Sequence, residues 1–284
     1  MAILGAHMSI AGGYYKAVET ASEFGCDCVQ LFTKNNKIWR AKELTDEDVS
    51  LFQGSLKDLK ITHPISHASY LINLGAPNDD LWKKSIDAFV IELQRAEMLG
   101  IPYVVLHPGA HTTSTEEQGI QRIIKGLNEV HKQTRDVDSM CLLETTAGQG
   151  SSIGHTFEQL ATILDGVRDP DRLGVCFDTC HVFAAGYPMD TESEYKATMK
   201  ELNKTVGTKR IKAFHLNDSK KPLGSRVDRH DHIGEGEMGL DPFRHLLNDR
   251  GFKKVPMYLE TPKEEKDGRH WDEINLETLR SLVV

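Results

Sequence analysis

The side chains best suited to chemistry are histidines and carboxylates that stand at the ends of short apolar segments. Six consecutive segments, the third to the eighth, end in such a residue: His67, His107, Glu144, Asp178, His215 and Glu260. Three more candidates lie nearby in the sequence: His181, Asp228 and His230. Imidazole and carboxylate ligands without thiolate are typical of zinc, manganese or iron sites. The pattern predicts a metal site.

The number of candidates indicates how many ions this site would hold. A single histidine or carboxylate after a strand is most often an ordinary turn residue, but nine in one place include four carboxylates that would repel one another. Divalent cations would remove that repulsion. Nine ligands exceed the needs of one four-coordinate ion and suffice for three ions if one carboxylate bridges two of them. Such a cluster would attract phosphate oxygens.

The segments that carry these residues predict the fold. Eight β-rich segments lie near residues 3–9, 28–33, 64–69, 103–107, 140–145, 173–179, 211–217 and 255–261. Most are nearly continuous apolar runs, as in parallel strands covered on both faces, and helical patterns such as 78–99 separate them. Thr45 with Asp48 and Thr156 with Gln159 predict helix starts. Eight such units in 284 residues favour a (β/α)₈ TIM barrel, a single domain over residues 1–284, with the metal site at the carboxyl ends of the strands. A doubly wound open sheet is the alternative, but its dinucleotide-binding fingerprint is missing.

Composition limits the classes of partner. Lys and Arg total 34 against 42 Asp and Glu, which gives a net charge of −8 and disfavours a broad basic face for nucleic acid. A phosphate-containing substrate would therefore have to meet a local positive site. No apolar run approaches the length of a membrane span, and the first residues do not have the pattern of a secretion signal. The odd count of five cysteines argues against a disulfide scaffold, so we expect a cytoplasmic protein without membrane contact.

Other motifs carry less information. Gly150, Ser152 and Gly154 match G-x-S-x-G, but the serine lies too far beyond the fifth strand to be a nucleophile on a strand-to-helix elbow. Cys176 and Cys180 flank Asp178, and we interpret them as small packing residues. Three histidines are secondary candidates near the site: His7, His111 and His232.

Several long segments resemble the endonuclease IV family. They are HASYLINLG (67–75), LHPG (106–109), LETTAGQG (143–150), GVCFDTCH (174–181), HLNDSK (215–220) and GSRVDRH (224–230), and the resemblance extends in the same order over nearly the whole chain. The family consists of zinc-dependent apurinic/apyrimidinic endonucleases built on a (β/α)₈ barrel with a trinuclear metal site. The resemblance therefore implies a DNA-repair hydrolase with three zinc ions per chain.

Individual roles follow from the resemblance. It implies that His67, His107 and Glu144 hold one zinc. Glu144 would bridge to a second zinc, which Asp178, His215 and Glu260 complete, and His181, Asp228 and His230 would hold the third. The implied reaction is hydrolysis of the phosphodiester 5′ to an abasic site, leaving a 3′-hydroxyl and a 5′-deoxyribose phosphate, with trimming of blocked 3′ ends as a second activity. Glu260 and Glu144 would be the catalytic carboxylates, with Glu260 orienting and deprotonating the attacking water.

The implied partner is double-stranded DNA that contains an abasic site, bound by a monomer. A nucleotide without its base costs less to extrude, and a small pocket would exclude an intact one. Tyr70 and Leu71 match the family's wedge, and residues 33–40, with Lys37 and Trp39, match its groove-entering loop. Well-studied members have arginine where this chain has Lys37, and lysine offers no planar stacking surface. The alternatives from the residues alone are a metal-dependent sugar isomerase or epimerase and a non-enzymatic metal-binding barrel.

Overall fold

Parallel strands that alternate with helices form the framework of the molecule. The computed structural model describes residues 2–284, and its eight principal strands are β1 (Leu4–Met8), β2 (Cys28–Leu31), β3 (Thr62–His67), β4 (Tyr103–Leu106), β5 (Met140–Glu144), β6 (Leu173–Asp178), β7 (Ile211–His215) and β8 (Met257–Leu259). Each strand pairs with its neighbours in sequence, and β1 also pairs with β8, which closes the barrel. The predicted single-domain TIM barrel is confirmed.

Helices cover the outside of the barrel. They are α1 (Tyr14–Glu23), α2 (Asp46–Asp58), α3 (Asp79–Leu99), α4 (Glu116–Gln133), α5 (Phe157–Gly166), α6 (Thr179–Ala185), α7 (Glu192–Thr205), α8 (Asp241–Leu247) and α9 (Trp271–Ser281). A capping box of Thr45 and Asp48 begins α2, as predicted. Thr156 caps α5, but the side chain of Gln159 accepts from the amides of residues 154 and 155 instead of completing the box. Gly100, in the left-handed conformation at φ 73°, ends α3.

The inside of the barrel is filled by one inward-facing side chain from each of seven strands. This buried floor consists of Cys28, Ile65, Val105, Leu142, Cys176, Ala213 and Tyr258. On β1 the corresponding residue is Gly5, where an added Cβ would come within 1.9 Å of a backbone oxygen of β2. The close approach of these two strands therefore requires glycine. Successive side chains of a strand alternate between faces, so the residue two positions beyond each floor residue also faces inward.

The observed strands differ from the predicted ones only at their ends, and β3 begins two residues earlier at Thr62. Short two-residue strands connect the loops above the barrel, and one of these ladders pairs Asp218–Ser219 with His230–Asp231. Over residues 2–284, no helix is both long enough and apolar enough to cross a bilayer. All five cysteines are buried free thiols.

Candidate metal centre

Strand alternation brings a ring of polar side chains to the carboxyl ends of the strands. Two residues beyond each floor position stand, from β1 to β8, His7, Gln30, His67, His107, Glu144, Asp178, His215 and Glu260. Three further side chains reach this ring from the connections that follow β6 and β7: His181, Asp228 and His230. The structure thus brings together all nine metal ligands that the sequence predicts.

The first ligand group surrounds one oxygen of Glu144. The Nε2 atoms of His67 and His107 lie 3.1 and 2.9 Å from Glu144 Oε2. The Nδ1 atom of His67 donates to the backbone carbonyl of residue 68 at 2.7 Å, so its Nε2 atom presents a lone pair to the carboxylate when the ring is neutral. Two imidazole nitrogens therefore converge on one carboxylate oxygen, as the donors of a metal site would.

The second ligand group lies on the other side of Glu144. His215 Nδ1 is 2.8 Å from Glu144 Oε1 and 3.2 Å from Glu260 Oε2, and Asp178 Oδ2 is 3.8 Å from the same nitrogen. Because the two oxygens of Glu144 face two different groups, this carboxylate is placed to bridge them. Asp178 is held by the side-chain amide of Asn217 at 2.7 Å and caps α6 by accepting from the amide of His181.

The third ligand group shows most directly that the centre is built around positive charge. The Nε2 atoms of His181 and His230 are only 3.3 Å apart, and Asp228 Oδ1 lies 3.2 and 3.4 Å from them. The opposite ring nitrogens, the Nδ1 atoms, are within hydrogen-bond distance of the carbonyls of residues 145 and 260 and act as donors there. Two neutral rings would then direct both remaining lone pairs at each other and at a carboxylate. A positive charge between them makes this arrangement favourable, and a divalent metal ion would supply it.

The pKa shifts of His67 and Glu144 agree with this geometry. Burial disfavours charge on His67, yet the neighbouring carboxylates of Glu144 and Glu260 outweigh burial and raise its pKa. Burial likewise opposes the anionic form of Glu144, but His107 and His215 hold its pKa well below the usual range. Glu144 is thus ionised in a buried site, and positive charge must lie beside it. Histidine and carboxylate donors in three groups fit divalent transition metals such as zinc, manganese or iron.

Sequence reasoning missed Gln30, which contacts this cluster directly. Gln30 is fully buried, accepts from His215 Nε2 at 2.8 Å and donates to Glu260 Oε1 at 2.5 Å. Its amide nitrogen also lies 3.0 Å from His7 Nδ1. The opposite amide orientation would place two oxygens 2.5 Å apart, so these contacts fix the orientation. The sequence does mark Gln30, because this glutamine interrupts an otherwise apolar strand at the position where other strands carry ligands.

The four predicted DNA-contacting residues lie outside the ring, with different exposures. Tyr70 is 58% exposed, and its ring centroid lies 5.1 Å from that of His67, so it stands beside the ligand cluster. Lys37 is exposed and Leu71 is half-buried on the following turn. Trp39 is partly buried against the core, with the ammonium of Lys84 4.4 Å from its ring centroid. The aromatic face of Trp39 is therefore already occupied by a neighbour.

Of the three secondary histidine candidates, only His7 lies in the ligand ring. It lies 3.7 Å from Glu260. His111 bonds to the backbone of residue 114, and His232 stacks on Trp271 at 3.8 Å, so neither joins a ligand group. Cys176 lies in the barrel floor and Cys180 is buried in α6, and burial raises the pKa of each thiol to about 12. Both therefore remain protonated packing residues.

Comparison with curated proteins reveals full-length relatives. The chain is 49% identical over 279 residues to a probable endonuclease 4 of Trichlorobacter lovleyi, covering 98% of this chain and 99% of that protein. A probable endonuclease 4 of Chloroflexus aggregans is 50% identical over 279 residues, covering 98% and 97% of the two chains. The family model described as a xylose isomerase-like TIM barrel matches residues 18–282.

One solved structure resembles the chain in both fold and sequence, and another resembles it in fold alone. Endonuclease IV from Thermus thermophilus aligns with a TM-score of 0.85 and 36% identity over 98% of both chains. A D-tagatose 3-epimerase-like protein aligns with a TM-score of 0.73 over 98% of this chain and 96% of that one, but at 18% identity. The second likeness shows the shared barrel alone.

Proposed function

The chain belongs to the endonuclease IV family and is thus a DNA-repair nuclease, and we propose that it cleaves the phosphodiester immediately 5′ to an abasic site. The products would be a 3′-hydroxyl and a 5′-deoxyribose phosphate, and blocked 3′ ends would be trimmed by the same centre. The observation that carries this proposal is the convergence of nine histidine and carboxylate side chains at the mouth of the barrel.

The proposed cofactor is a set of three zinc ions. His67, His107 and Glu144 would hold the first, Glu144, Asp178, His215 and Glu260 the second, and His181, Asp228 and His230 the third. Bound divalent ions would supply Lewis acidity for the attacking water and positive charge beside the phosphodiester. They would also supply the local attraction for phosphate that a chain with a net charge of −8 otherwise lacks.

The two catalytic carboxylates would have different tasks. The side chain of Glu144 is fully buried between the histidines, so it would act as a bridging ligand that keeps the other ligands in place. The side chain of Glu260 is 10% exposed, and Gln30 holds one of its oxygens. We assign Glu260 to orienting the attacking water and accepting its proton. The new phosphorus–oxygen bond would then form as the bond to the 3′ oxygen breaks.

Recognition would depend on loops at the mouth of the barrel. Tyr70 is exposed beside His67 and His107, so its ring could fill the space next to an extruded sugar and exclude water. Leu71 would extend this wedge, while Lys37 and Trp39 belong to the neighbouring loop. Abasic nucleotides are cheaper to extrude because their base pairing is already lost. Selectivity would therefore combine easy extrusion with a pocket that accepts only a bare sugar.

A duplex with one tetrahydrofuran abasic analogue tests this function. We expect the purified, zinc-containing protein to nick this duplex 5′ to the analogue in added EDTA, which removes the ions that magnesium-dependent nucleases need. The same duplex without the lesion is the control and should remain intact. Extension of the nicked strand by a polymerase would demonstrate the 3′-hydroxyl. Cleavage of both duplexes at equal rates would contradict abasic specificity.

Zinc content separates this function from the sugar-epimerase alternative. Anomalous scattering at the zinc absorption edge counts and places the ions in one measurement, and we expect three per chain. An epimerase on this barrel would need one or two ions and would leave His181, Asp228 and His230 without a shared task. We also propose that the protein acts as a monomer in the cytoplasm, which sedimentation and cell fractionation would test.

A further inference from the structure

A buried carboxylate outside the ligand ring lies between the two loops that we assign to DNA. Glu92 is on α3 and is 1% exposed. Three groups contact it: the hydroxyl of Thr33, the ammonium of Lys34 and the amide of Ser69. These partners lie immediately before Asn35–Arg40, with Lys37, and immediately before Tyr70 and Leu71. None of the three partners is a proposed metal ligand.

The contacts with the first loop hold it on both sides of Lys37. Thr33 Oγ1 donates to Glu92 Oε2 at 2.7 Å, before the exposed part of the loop. Lys34 is 4% exposed, and its Nζ atom lies 3.5 Å from Glu92 Oε1 while it donates to the carbonyl of Ile38 at 2.9 Å. One carboxylate therefore restrains the start of the loop directly and its far side through a lysine.

The contacts with the second loop connect it to the first. The amide of Ser69 donates to Glu92 Oε1 at 3.3 Å, and its hydroxyl donates to the carbonyl of Asn36 at 2.6 Å. Tyr70 follows Ser69 directly in the chain. The position of Tyr70 relative to Lys37 thus depends on a short path through Ser69, Asn36 and Glu92.

A second buried charge on the same helix strengthens this connection. Arg95 is 6% exposed and donates to the carbonyls of Thr33 and Lys42 at 2.7 Å each. It also donates to the hydroxyl of Tyr14 at 2.8 Å. With Glu92 three residues earlier, Arg95 fixes both ends of the first loop to α3.

Stability alone does not account for this network. Charged groups lose hydration when they are buried, and apolar residues of similar volume often stabilise a protein equally well. A hydrogen-bonded carboxylate also restrains the conformation of its neighbours, because each hydrogen bond fixes the position of one loop atom. We propose that Glu92 is a positioning residue that sets the arrangement of the two DNA loops before the duplex binds. This inference rests on the proposed function, which assigns these loops to DNA.

Loops that Glu92 orders before the duplex arrives should affect DNA binding and not the chemical step. A loop that is already ordered loses less entropy when the duplex docks. Disordering the two loops should therefore raise KM and the dissociation constant for the abasic duplex. The ligand ring stands on the barrel strands, so kcat and zinc content should stay close to their original values.

The test compares Glu92→Gln with a matched control on the same helix. Glu97 is also a carboxylate of α3, and it accepts from the amides of Asp138 and Ser139 at 2.9 Å each, in the loop before β5. Glu97→Gln therefore makes the same chemical change in a loop contact of the same helix, away from the DNA loops. Both variants are prepared as zinc-loaded full chains, and KM, kcat, zinc content and the dissociation constant for the tetrahydrofuran duplex are measured.

We expect Glu92→Gln to raise KM and the dissociation constant about tenfold, as for the loss of a charge-assisted hydrogen bond, with kcat changed less than about threefold. Glu97→Gln should leave both constants unchanged. Two smaller variants should shift KM in the same direction even if Glu92→Gln folds poorly. Thr33→Val removes the hydrogen bond to Glu92, and Ser69→Ala removes the hydroxyl that donates to Asn36 and accepts from the amide of Leu71 at 3.3 Å. Unchanged KM in the folded Glu92, Ser69 and Thr33 variants, or an equal rise in Glu97→Gln, would overturn the inference. Failure of the unmodified protein to prefer the abasic duplex would instead refute the proposed function.

Discussion

The ligand ring and the two loops that we propose contact DNA are adjacent at the mouth of the barrel but are positioned by different means. Seven ligand candidates have side chains no more than 17% exposed, and the exceptions are His107 and Asp228 at 32% and 39%. Six of the nine stand at or directly after strand ends, where the closed sheet fixes the backbone. Tyr70, by contrast, is 58% exposed on a turn.

The ligands and the loops are therefore held in position by different parts of the structure. Strand alternation positions the six ligands at the strand ends, and neighbouring side chains such as Gln30 and Asn217 need only orient them. The DNA loops have no such framework, and their shape depends on side chains of α3 that reach under them. We therefore expect substitutions in the ring to affect catalysis or metal content, and substitutions in the loops to affect DNA binding.

The largest expected effect comes from removing the charge of Glu260. Glu260→Gln keeps the shape of the side chain but loses both the negative charge beside His215 and the ability to accept a proton. We expect incision of the abasic duplex to fall by at least about 100-fold, because general-base catalysis contributes that much or more. DNA binding, measured by fluorescence anisotropy, should be retained.

An exposed glutamate four residues further along the chain provides the control. Glu264→Gln makes the same chemical change beyond the ring and should leave incision unaffected. If Glu260→Gln lost binding and incision to the same extent, Glu260 would have a structural role. The expectation that ring substitutions affect catalysis and not DNA binding would then be wrong.

The second effect concerns how the ring is oriented. Gln30→Met preserves volume and burial but removes the acceptor for His215 Nε2 and the donor to Glu260. His215 could then adopt either tautomer, and we expect zinc affinity to fall by about 10- to 100-fold, as is usual when a hydrogen-bond partner of a ligand is lost. Chelator competition measures the affinity, and ¹⁵N NMR reports the tautomer of His215.

The matched control for Gln30 lies in the floor of the barrel. Leu142→Met also places methionine at a buried inward-facing position, two residues before Glu144, but changes no polar contact. Its zinc affinity should equal that of the unmodified protein. Equal losses in the two variants would mean that packing, and not the amide of Gln30, orients the ligands.

The sequence predicts the ligand ring well because a polar residue at the end of an apolar strand is both visible in the sequence and placed at the mouth of the barrel. An apolar strand that ends in His67 or Glu144 is visible in one dimension, and closure of the barrel brings all such ends together. Gln30 was overlooked because an uncharged amide is not itself a typical zinc ligand, although its position obeys the same alternation. The eight strands were predicted with errors only at their ends.

The arrangement of the loops could not be predicted in the same way. Glu92 lies in an amphipathic helix where a glutamate ordinarily faces solvent, and no local pattern marks it as buried. Its burial depends on residues 33–40 folding across α3, which is a contact between segments far apart in the chain. Trp39 illustrates the same difficulty, because only the structure shows Lys84 lying over its ring.

A smaller effect is expected at Lys37, where this chain differs from the arginine of well-studied family members. Lys37 is exposed and lies on the loop that Glu92 holds. Lys37→Ala should weaken binding of the abasic duplex about two- to fivefold, as for the loss of one phosphate contact, with no change in kcat. Lys37→Arg adds a planar stacking surface and should bind at least as tightly as the unmodified protein. An unchanged dissociation constant in Lys37→Ala would remove this residue from DNA recognition.

The smallest effect on the centre is expected from a cysteine that lies directly beneath it. Cys176 is in the barrel floor, two residues before Asp178, and burial keeps its thiol protonated. Cys176→Ala should lower the free energy of unfolding by about 1 kcal/mol through lost packing, with zinc content unchanged. Cys141→Ala, in the neighbouring strand β5, removes the same atom from the outer core and should cost a similar amount. Loss of zinc from the Cys176 variant alone would show that the floor takes part in metal binding, so that ligand positions depend on more than the strand ends.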